Sequence, residues 1–180
     1  EEEGMTEELY EKKIDYILHA AGATKATGQE VYNHINVTYT FNLARAAEKL
    51  GSNFKQMVFI SSLTAVGPLP DDHNKITEER PPNPVTAYGR SKLQAEKGLG
   101  RIALPITILR PTAIYGPRNK DIFIMIKMVN KGLDPYIGKM MQQLSFVHAK
   151  DVADVAVASP FINNAVGSYK INAGNSYYRE

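Results

Sequence analysis

Short apolar runs alternate with longer stretches of helical periodicity through the first two thirds of the chain. Buried strands are expected at residues 14–19, 56–60 and 106–109. Helices are expected at residues 6–13, 29–50 and 86–102. Strands that are apolar throughout and that alternate with helices are typical of a parallel sheet covered on both faces. The pattern therefore predicts an α/β fold with a doubly wound parallel sheet.

The pattern becomes less regular after Gly116. We expect a helix at 122–130, a strand at 144–148 and a helix at 151–158. Asp151 is expected to cap the last of these helices, because a short acidic side chain can accept a bond from the first backbone N–H groups.

Three chain segments follow the carboxyl ends of the predicted parallel strands and should therefore lie close together. Ligands of such sheets bind in a crevice at this end of the strands. These segments are Ala20-Ala21-Gly22, Ser61-Ser62 and Arg110-Pro111-Thr112. A proline-rich surface loop at 67–84 follows the second of them, and loops of this length often carry function.

Tyr88 and Lys92 are four residues apart at the start of the predicted helix 86–102, so both side chains leave the same helix face. An ammonium near a phenol favours the phenolate, and such a tyrosine can exchange a proton with an alcohol or carbonyl. The pair alone is weak support, since two residues on a solvated face could show the same spacing.

Composition and charge exclude only a few classes of function. The formal net charge of +2 indicates neither nucleic acid nor an anionic membrane as a partner, and the absence of cysteine excludes disulfides and thiolate chemistry. The four histidines show no metal-ligand spacing, so no metal is expected. No apolar stretch has the length of a membrane span, and a cytoplasmic protein is the default expectation.

Six segments of the chain, in order and spacing, resemble the extended short-chain dehydrogenases/reductases, the NAD-dependent epimerase/dehydratase group. The segments are HAAG (19–22), NV (36–37), FISS (59–62), TAYGRSK (86–92), LRPTAIYGP (109–117) and FVHAKDVA (146–153). The resemblance implies a Rossmann-like sheet. Residues 1–116 would be the C-terminal part of its catalytic domain, and residues 117–180 a mixed segment with substrate-region elements and a returning strand and helix.

The resemblance also implies roles for individual residues. Tyr88 would be the catalytic acid and base, Lys92 would bind the nicotinamide ribose and depress the tyrosine pKa, and Ser62 would hydrogen-bond the reacting oxygen. The cofactor, NAD or NADP, would be bound by Ala20, Ala21, Gly22, Asn36, Ile60, Ser61, Tyr88, Lys92, Pro111, Ala113 and Ile114.

Some of these residues have plainer interpretations. Ser61 could simply cap a strand end, and Asn36 could be a solvent-facing helix residue. His19 is expected to be a packed histidine at a strand end rather than a base. Lys25 is a further candidate for contact with a cofactor phosphate.

The sequence departs from the family in one respect: it does not contain the Gly-x-x-Gly-x-x-Gly turn with which members of the family bind the cofactor pyrophosphate. The chain begins at what resembles the helix before the fourth strand, so about three strands of the family sheet are not in it. We therefore expect an exposed sheet edge, and weak dinucleotide binding by these 180 residues alone.

Other departures bear on the reaction. Dehydratases of the family carry an Asp-Glu pair after the catalytic hydroxyl, where this chain has Leu63-Thr64, and many sugar-nucleotide enzymes carry Asn at the position of Ala113. The prediction is an NAD(P)-dependent oxidoreductase acting on a secondary alcohol or ketone, with a small-molecule substrate, and a homodimer when complete. The alternatives are a nucleotide-sugar epimerase with tightly bound NAD and a non-catalytic dinucleotide-sensing protein.

Overall fold

The computed structural model describes residues 2–69, 76–133, 144–162 and 166–171. Its main sheet has four parallel strands, which are β1 (Tyr16–His19), β2 (Gln56–Ile60), β3 (Ile106–Pro111) and β6 (Gly167–Ile171). They lie side by side in the order β1-β2-β3-β6. A separate parallel pair is formed by β4 (Ala113–Tyr115) and β5 (Phe146–His148).

Helices connect these strands. They are α1 (Glu2–Glu11), α2 (Gln29–Asn33), α3 (Tyr39–Glu48), α4 (Ala87–Leu99), α5 (Lys120–Asn130) and α6 (Ala149–Ala158). A π-helical turn at His34–Thr38 joins α2 to α3. The predicted α/β class with a parallel sheet is confirmed. Within the described part of the chain, no helix is long and apolar enough to cross a membrane.

The central strand β2 is buried on both faces. Met57 and Phe59 point into one core, where they pack with residues such as Leu99 of α4. Val58 points to the opposite face and packs with a second cluster that includes Val152 of α6. Successive side chains of a strand leave opposite faces, so a strand that is apolar at every position must be covered twice. The residues that follow the carboxyl ends of β2 and β3 are polar, and they lie together at the carboxyl end of the sheet.

The structure corrects several predicted boundaries. The first strand begins at Tyr16 rather than at residue 14, and β5 begins at Phe146 rather than at residue 144. The predicted cap Asp151 is wrong, because α6 begins two residues earlier and His148 is its N-cap. His148 has an extended backbone, and its Nδ1 accepts a hydrogen bond of 3.2 Å from the backbone N–H of Lys150. Asp151 lies in the first turn instead, where the positive end of the helix dipole favours a carboxylate.

Two strands were not predicted. The short strand β4 has only three residues, too few for a periodic pattern, and its two end residues are exposed. The strand β6 has the mixed sequence GSYKI, yet it pairs with β3 from Thr107 to Pro111. Both strands depend on a neighbouring strand rather than on their own composition.

The loop at 67–84 was predicted to lie at the surface, and residues 70–75 of it lie outside the described residues. Its two ends contact each other, since the backbone N–H of Asn83 donates to the carbonyl of Val66 at 2.8 Å. Gly67 has a φ of +86°, and a Cβ there would lie 2.1 Å from the carbonyl oxygen of Asn83. A residue with a side chain could not occupy this position without displacing the segment that leads into α4.

Candidate active site

The carboxyl ends of β1, β2 and β3 lie side by side, as expected for adjacent parallel strands. Ala20, Ala21 and Gly22 follow β1 and are exposed to solvent. Ser61 and Ser62 follow β2, and Thr112 follows β3. The three segments predicted to converge therefore lie together at the carboxyl end of the sheet.

Tyr88 lies in the first turn of α4, which begins after Thr86. The Thr86 Oγ1 accepts a 3.0 Å hydrogen bond from the backbone N–H of Gly89 and so caps the helix. The phenol of Tyr88 is half-buried, and the side chain of Ser62 lies close enough to lower its pKa. Its ring also lies against Tyr32, with 5.9 Å between the centroids. The predicted catalytic tyrosine and serine therefore lie beside each other.

The hydroxyl of Ser62 is oriented by Thr64. Ser62 Oγ accepts hydrogen bonds from the Thr64 backbone N–H at 3.2 Å and from Thr64 Oγ1 at 2.9 Å. A serine hydroxyl has one hydrogen to donate and two acceptor lone pairs. With acceptance directed toward Thr64, the Ser62 O–H is left to donate toward Tyr88 or a ligand.

Gly89 allows α4 to approach this segment closely. A Cβ at position 89 would lie 2.3 Å from the carbonyl oxygen of Thr64 and 3.1 Å from Cβ of Pro84. A residue without a side chain is therefore required where the first turn of α4 packs against Thr64 and Pro84.

Lys92 lies one turn after Tyr88 and is buried, with 4% of its surface exposed. Its Nζ donates to the carbonyl oxygen of Ile60 at 2.9 Å and lies 4.7 Å from the centre of the Phe59 ring. Burial lowers the pKa of the Lys92 ammonium to about 8, and the Glu96 carboxylate opposes this shift. A Cβ on Gly22 would lie 3.3 Å from Lys92 Nζ, so the end of β1 lies directly over the ammonium.

The pKa of Tyr88 differs from the expectation. Burial raises the pKa of the phenol above its ordinary value, the hydrogen bond with Ser62 opposes this, and nearby Tyr32 raises it further. Lys92 is not among the groups that shift the pKa of Tyr88. The predicted depression of the tyrosine pKa is therefore not present in this structure.

Asn36 is buried within the π-helical turn, with 1% of its surface exposed, which excludes the solvent-facing interpretation. Its Oδ1 accepts from the backbone N–H of Ala23 at 2.8 Å. Its Nδ2 donates to the Ala23 carbonyl and to Ser91 Oγ, each at 3.0 Å. Asn36 thus ties the segment after β1 to α4.

His19 is a packed histidine, as predicted. Its Nε2 hydrogen-bonds Thr40 Oγ1 at 2.8 Å, and its ring stacks on Phe59 with 5.6 Å between centroids. Burial, assisted by the charge of Lys92, lowers the pKa of His19 to about 4. The ring is therefore neutral near pH 7, and it supports the site without carrying charge.

Sequence reasoning missed Glu96, which lies one turn after Lys92 on α4. It is buried and forms an ion pair with Arg110, with 2.7 Å between Arg110 Nη2 and Glu96 Oε2. Ser61 Oγ also donates to Glu96 Oε1, so Ser61 does more than cap a strand end. A glutamate between the apolar residues Ala95 and Leu99, four residues after Lys92, was the available signal.

The residues around the strand ends fit a dinucleotide. The end of β1 offers exposed residues with little or no side chain, and Lys92 has two N–H donors beyond the one used by Ile60. Thr112 Oγ1 is buried and has no hydrogen-bond partner among the described residues, so it is available to a bound group.

The other predicted cofactor residues lie at or just after the carboxyl end of β3. Pro111 ends β3 and is buried, whereas Ala113 is exposed and Ile114 is half-buried on β4. Lys25 forms an ion pair with Asp121 at 2.9 Å, and both side chains are exposed. Among the described residues, no group of three or more metal-ligating side chains comes together.

A family model described as the NAD dependent epimerase/dehydratase family matches residues 1–171. The chain belongs to this family. The family predicted from the six sequence segments is therefore confirmed, and with it membership of a group of nicotinamide-dependent enzymes.

Individual members of the NAD dependent epimerase/dehydratase family differ in activity. A UDP-glucose 4-epimerase of Vibrio cholerae is 31% identical over 169 residues, which cover 83% of this chain and 49% of the relative. A decarboxylating sterol-4-alpha-carboxylate 3-dehydrogenase of Candida albicans is 27% identical over 162 residues, covering 85% of this chain and 45% of the relative. The chain thus spans about half the length of these relatives.

The fold is shared with solved structures of the family. The UDP-glucose 4-epimerase of Thermus thermophilus, solved in complex with NAD, has a TM-score of 0.81 and 22% sequence identity. The match covers 99% of this chain and 62% of that chain. This likeness supports the Rossmann-like architecture.

Proposed function

We propose that the protein oxidises a secondary alcohol, or reduces the corresponding ketone, with NAD or NADP, using Ser62, Tyr88 and Lys92. The observation that carries this proposal is the position of Ser62 beside the Tyr88 phenol, whose pKa it lowers, with the buried Lys92 one helical turn away. Family membership supports it, because the relatives include both an epimerase and a dehydrogenase.

The roles follow from the contacts of each side chain. The Ser62 O–H, oriented by Thr64, donates a hydrogen bond to the substrate oxygen. Tyr88 transfers the proton between that oxygen and solvent or protein. Lys92 binds the cofactor ribose through its remaining N–H groups. The nicotinamide, when bound, supplies or accepts the hydride.

The protonation state of Tyr88 bears on the direction of the reaction. Because burial raises the pKa of its phenol, Tyr88 is protonated near neutral pH and can donate a proton to a carbonyl oxygen. Oxidation of the alcohol requires the phenolate, so its rate is expected to increase with pH.

The second candidate is a nucleotide-sugar epimerase, in which the alcohol carbon is oxidised and then reduced from the other face. The Vibrio cholerae relative favours this candidate, since it is a UDP-glucose 4-epimerase and has the higher identity of the two. Ala113, exposed on β4, favours the oxidoreductase, because many sugar-nucleotide enzymes carry a substrate-binding asparagine there.

The test is product analysis with the full-length protein. The protein is incubated with UDP-glucose and NAD, and in parallel with NAD or NADP and a panel of steroid and aliphatic secondary alcohols. Nicotinamide absorbance reports net oxidation, and proton NMR of the sugar reports inversion at C4.

Each outcome has one interpretation. Net reduction of the nicotinamide supports the oxidoreductase, and formation of the C4 epimer without net redox supports the epimerase. A protein that binds the dinucleotide but transfers no hydride, including from deuterium-labelled NADH to any carbonyl in the panel, would contradict the proposal and favour the sensing alternative.

A further inference from the structure

Glu96 is a buried charged residue that the proposed chemistry does not use. It lies on α4 four residues after Lys92 and eight after Tyr88, so the three side chains share one helix face. Only 5% of its surface is exposed. A buried carboxylate is stable only when its oxygens are paired and hydrogen-bonded.

The partners of Glu96 come from the ends of two strands. From β3, Arg110 Nε donates to Oε1 at 3.0 Å and Nη2 donates to Oε2 at 2.7 Å, which makes the pair bidentate. From the end of β2, Ser61 Oγ donates to Oε1. One carboxylate thus joins α4 to both strands.

Two successive residues at the end of β2 are bonded to α4. The carbonyl of Ile60 accepts from Lys92, and Ser61 donates to Glu96. The next residue, Ser62, lies close enough to Tyr88 of the same helix to lower its pKa. A rotation or shift of α4 would disturb these contacts together, so Ser62 and Tyr88 lie next to the contacts that Glu96 anchors.

We propose, on the basis of the proposed function, that Glu96 is a positioning residue: with Arg110 and Ser61 it holds α4 against the ends of β2 and β3, and it places a negative charge one helical turn from the Lys92 ammonium. The charge effect distinguishes this role from simple packing. An ammonium that binds the cofactor must stay protonated at a buried position, and Glu96 is the acid nearest to it along α4.

The surroundings of Lys92 support an effect of this charge. The titratable and charged groups near Lys92 include His19 on β1 and Glu96 on α4, with Arg110 of β3 paired to Glu96 and Tyr88 one turn earlier on α4. His19 is neutral near pH 7, and Tyr88 is a neutral phenol. Burial lowers the pKa of Lys92 to about 8, so a neighbouring charge can change the fraction of Lys92 that is protonated near neutral pH.

The experiment measures Lys92 directly in the full-length protein. The Nζ of lysine is labelled with ¹⁵N and titrated by NMR without substrate, and the Lys92 signal is assigned with K92R. The wild type is compared with E96Q, which keeps the size and one acceptor oxygen but loses the charge. The control is E30Q, which removes the same charge from an exposed position on α2.

The expected result is a lower titration midpoint for Lys92 in E96Q and an unchanged midpoint in E30Q. NAD affinity, measured by calorimetry, should fall in E96Q by a factor that grows as the pH is raised toward 8. An unchanged midpoint, or a loss of affinity by the same factor at every pH, would overturn the proposal and leave Glu96 as a packing residue.

The wild type provides a second test that does not depend on the folding of E96Q. If the two groups interact, the side-chain carboxyl ¹³C signal of Glu96 must show an inflection at the midpoint of Lys92, and its absence overturns the proposal. Neither titration requires turnover, so the result is independent of whether the proposed reaction is found.

Discussion

His19 should make the fold sensitive to acid in a defined pH range. The ring is buried against Phe59 and hydrogen-bonded to Thr40, and its pKa is lowered from 6.5 to about 4. Between these two values the unfolded chain binds a proton that the folded chain does not. Stability from the neutral ring is therefore fully present above pH 6.5 and is lost as the pH falls toward 4.

The size of the effect follows from the difference between the two pKa values. A pKa difference of one corresponds to about 1.4 kcal/mol, so the full loss on acidification is about 3 kcal/mol. Such a loss is a large fraction of the ~5–15 kcal/mol that stabilises a typical domain. Carboxylates also titrate in this range, so the His19 contribution must be obtained as a difference between variants.

Urea unfolding of the wild type, H19Q and H34Q between about pH 7 and pH 4 provides that difference. Glutamine can keep a hydrogen bond to Thr40 but cannot be protonated, so the pH profile of H19Q should be flatter than that of the wild type by about 3 kcal/mol. His34 is exposed, and H34Q should follow the wild type. Parallel acid profiles for H19Q and the wild type would refute the reasoning.

Three further variants test the site. G89A should lose about 1–2 kcal/mol of stability and most activity, because its Cβ would meet the carbonyl of Thr64 at 2.3 Å. G100A, at the C-cap that follows the same helix, meets no atom closer than 3.6 Å and should be close to neutral in urea unfolding. K92M removes a buried charge but leaves the Ile60 carbonyl without its donor, so its stability is checked by urea unfolding, and its calorimetric NAD affinity should fall about tenfold or more; unchanged affinity would exclude a cofactor role. T64V should lower kcat with little change in KM, because Ser62 loses one of the two donors that orient it, and equal kcat values would show that Thr64 does not position Ser62.

The elements found from the sequence are those whose own residues determine their structure. The strand Gln56–Ile60 was predicted with its observed bounds because every position is apolar or buried, as a strand covered on both faces requires. The placement of Tyr88 and Lys92 on one face of α4 could be predicted because their spacing is local, whereas their proposed roles come from the resemblance of six segments together. The helix spanning residues 29–50 was found as one periodic stretch, but its π-helical turn around Asn36 was not, because the turn depends on contacts with Ala23 and Ser91.

The features that were missed depend on tertiary structure. Glu96 and Arg110 are ordinary charged residues in sequence, and only the packing of α4 on β3 brings them together in a buried pair. The direction of the Tyr88 pKa was wrong for the same reason. Helical spacing placed Lys92 near the phenol, but the ammonium bonds to the Ile60 carbonyl and burial determines the tyrosine pKa.

The central claim is that Tyr88 transfers the proton in a nicotinamide-dependent reaction. The most direct measurement is kcat of Y88F in the full-length protein, with the substrate found by product analysis, beside Y32F as a matched control. Tyr32 contacts the Tyr88 ring, and its hydroxyl donates to the Thr24 carbonyl at 3.0 Å. We predict that Y88F loses about 10²–10⁴-fold in kcat with NAD affinity nearly unchanged, while Y32F retains most activity. A Y88F enzyme with the wild-type rate would contradict the claim.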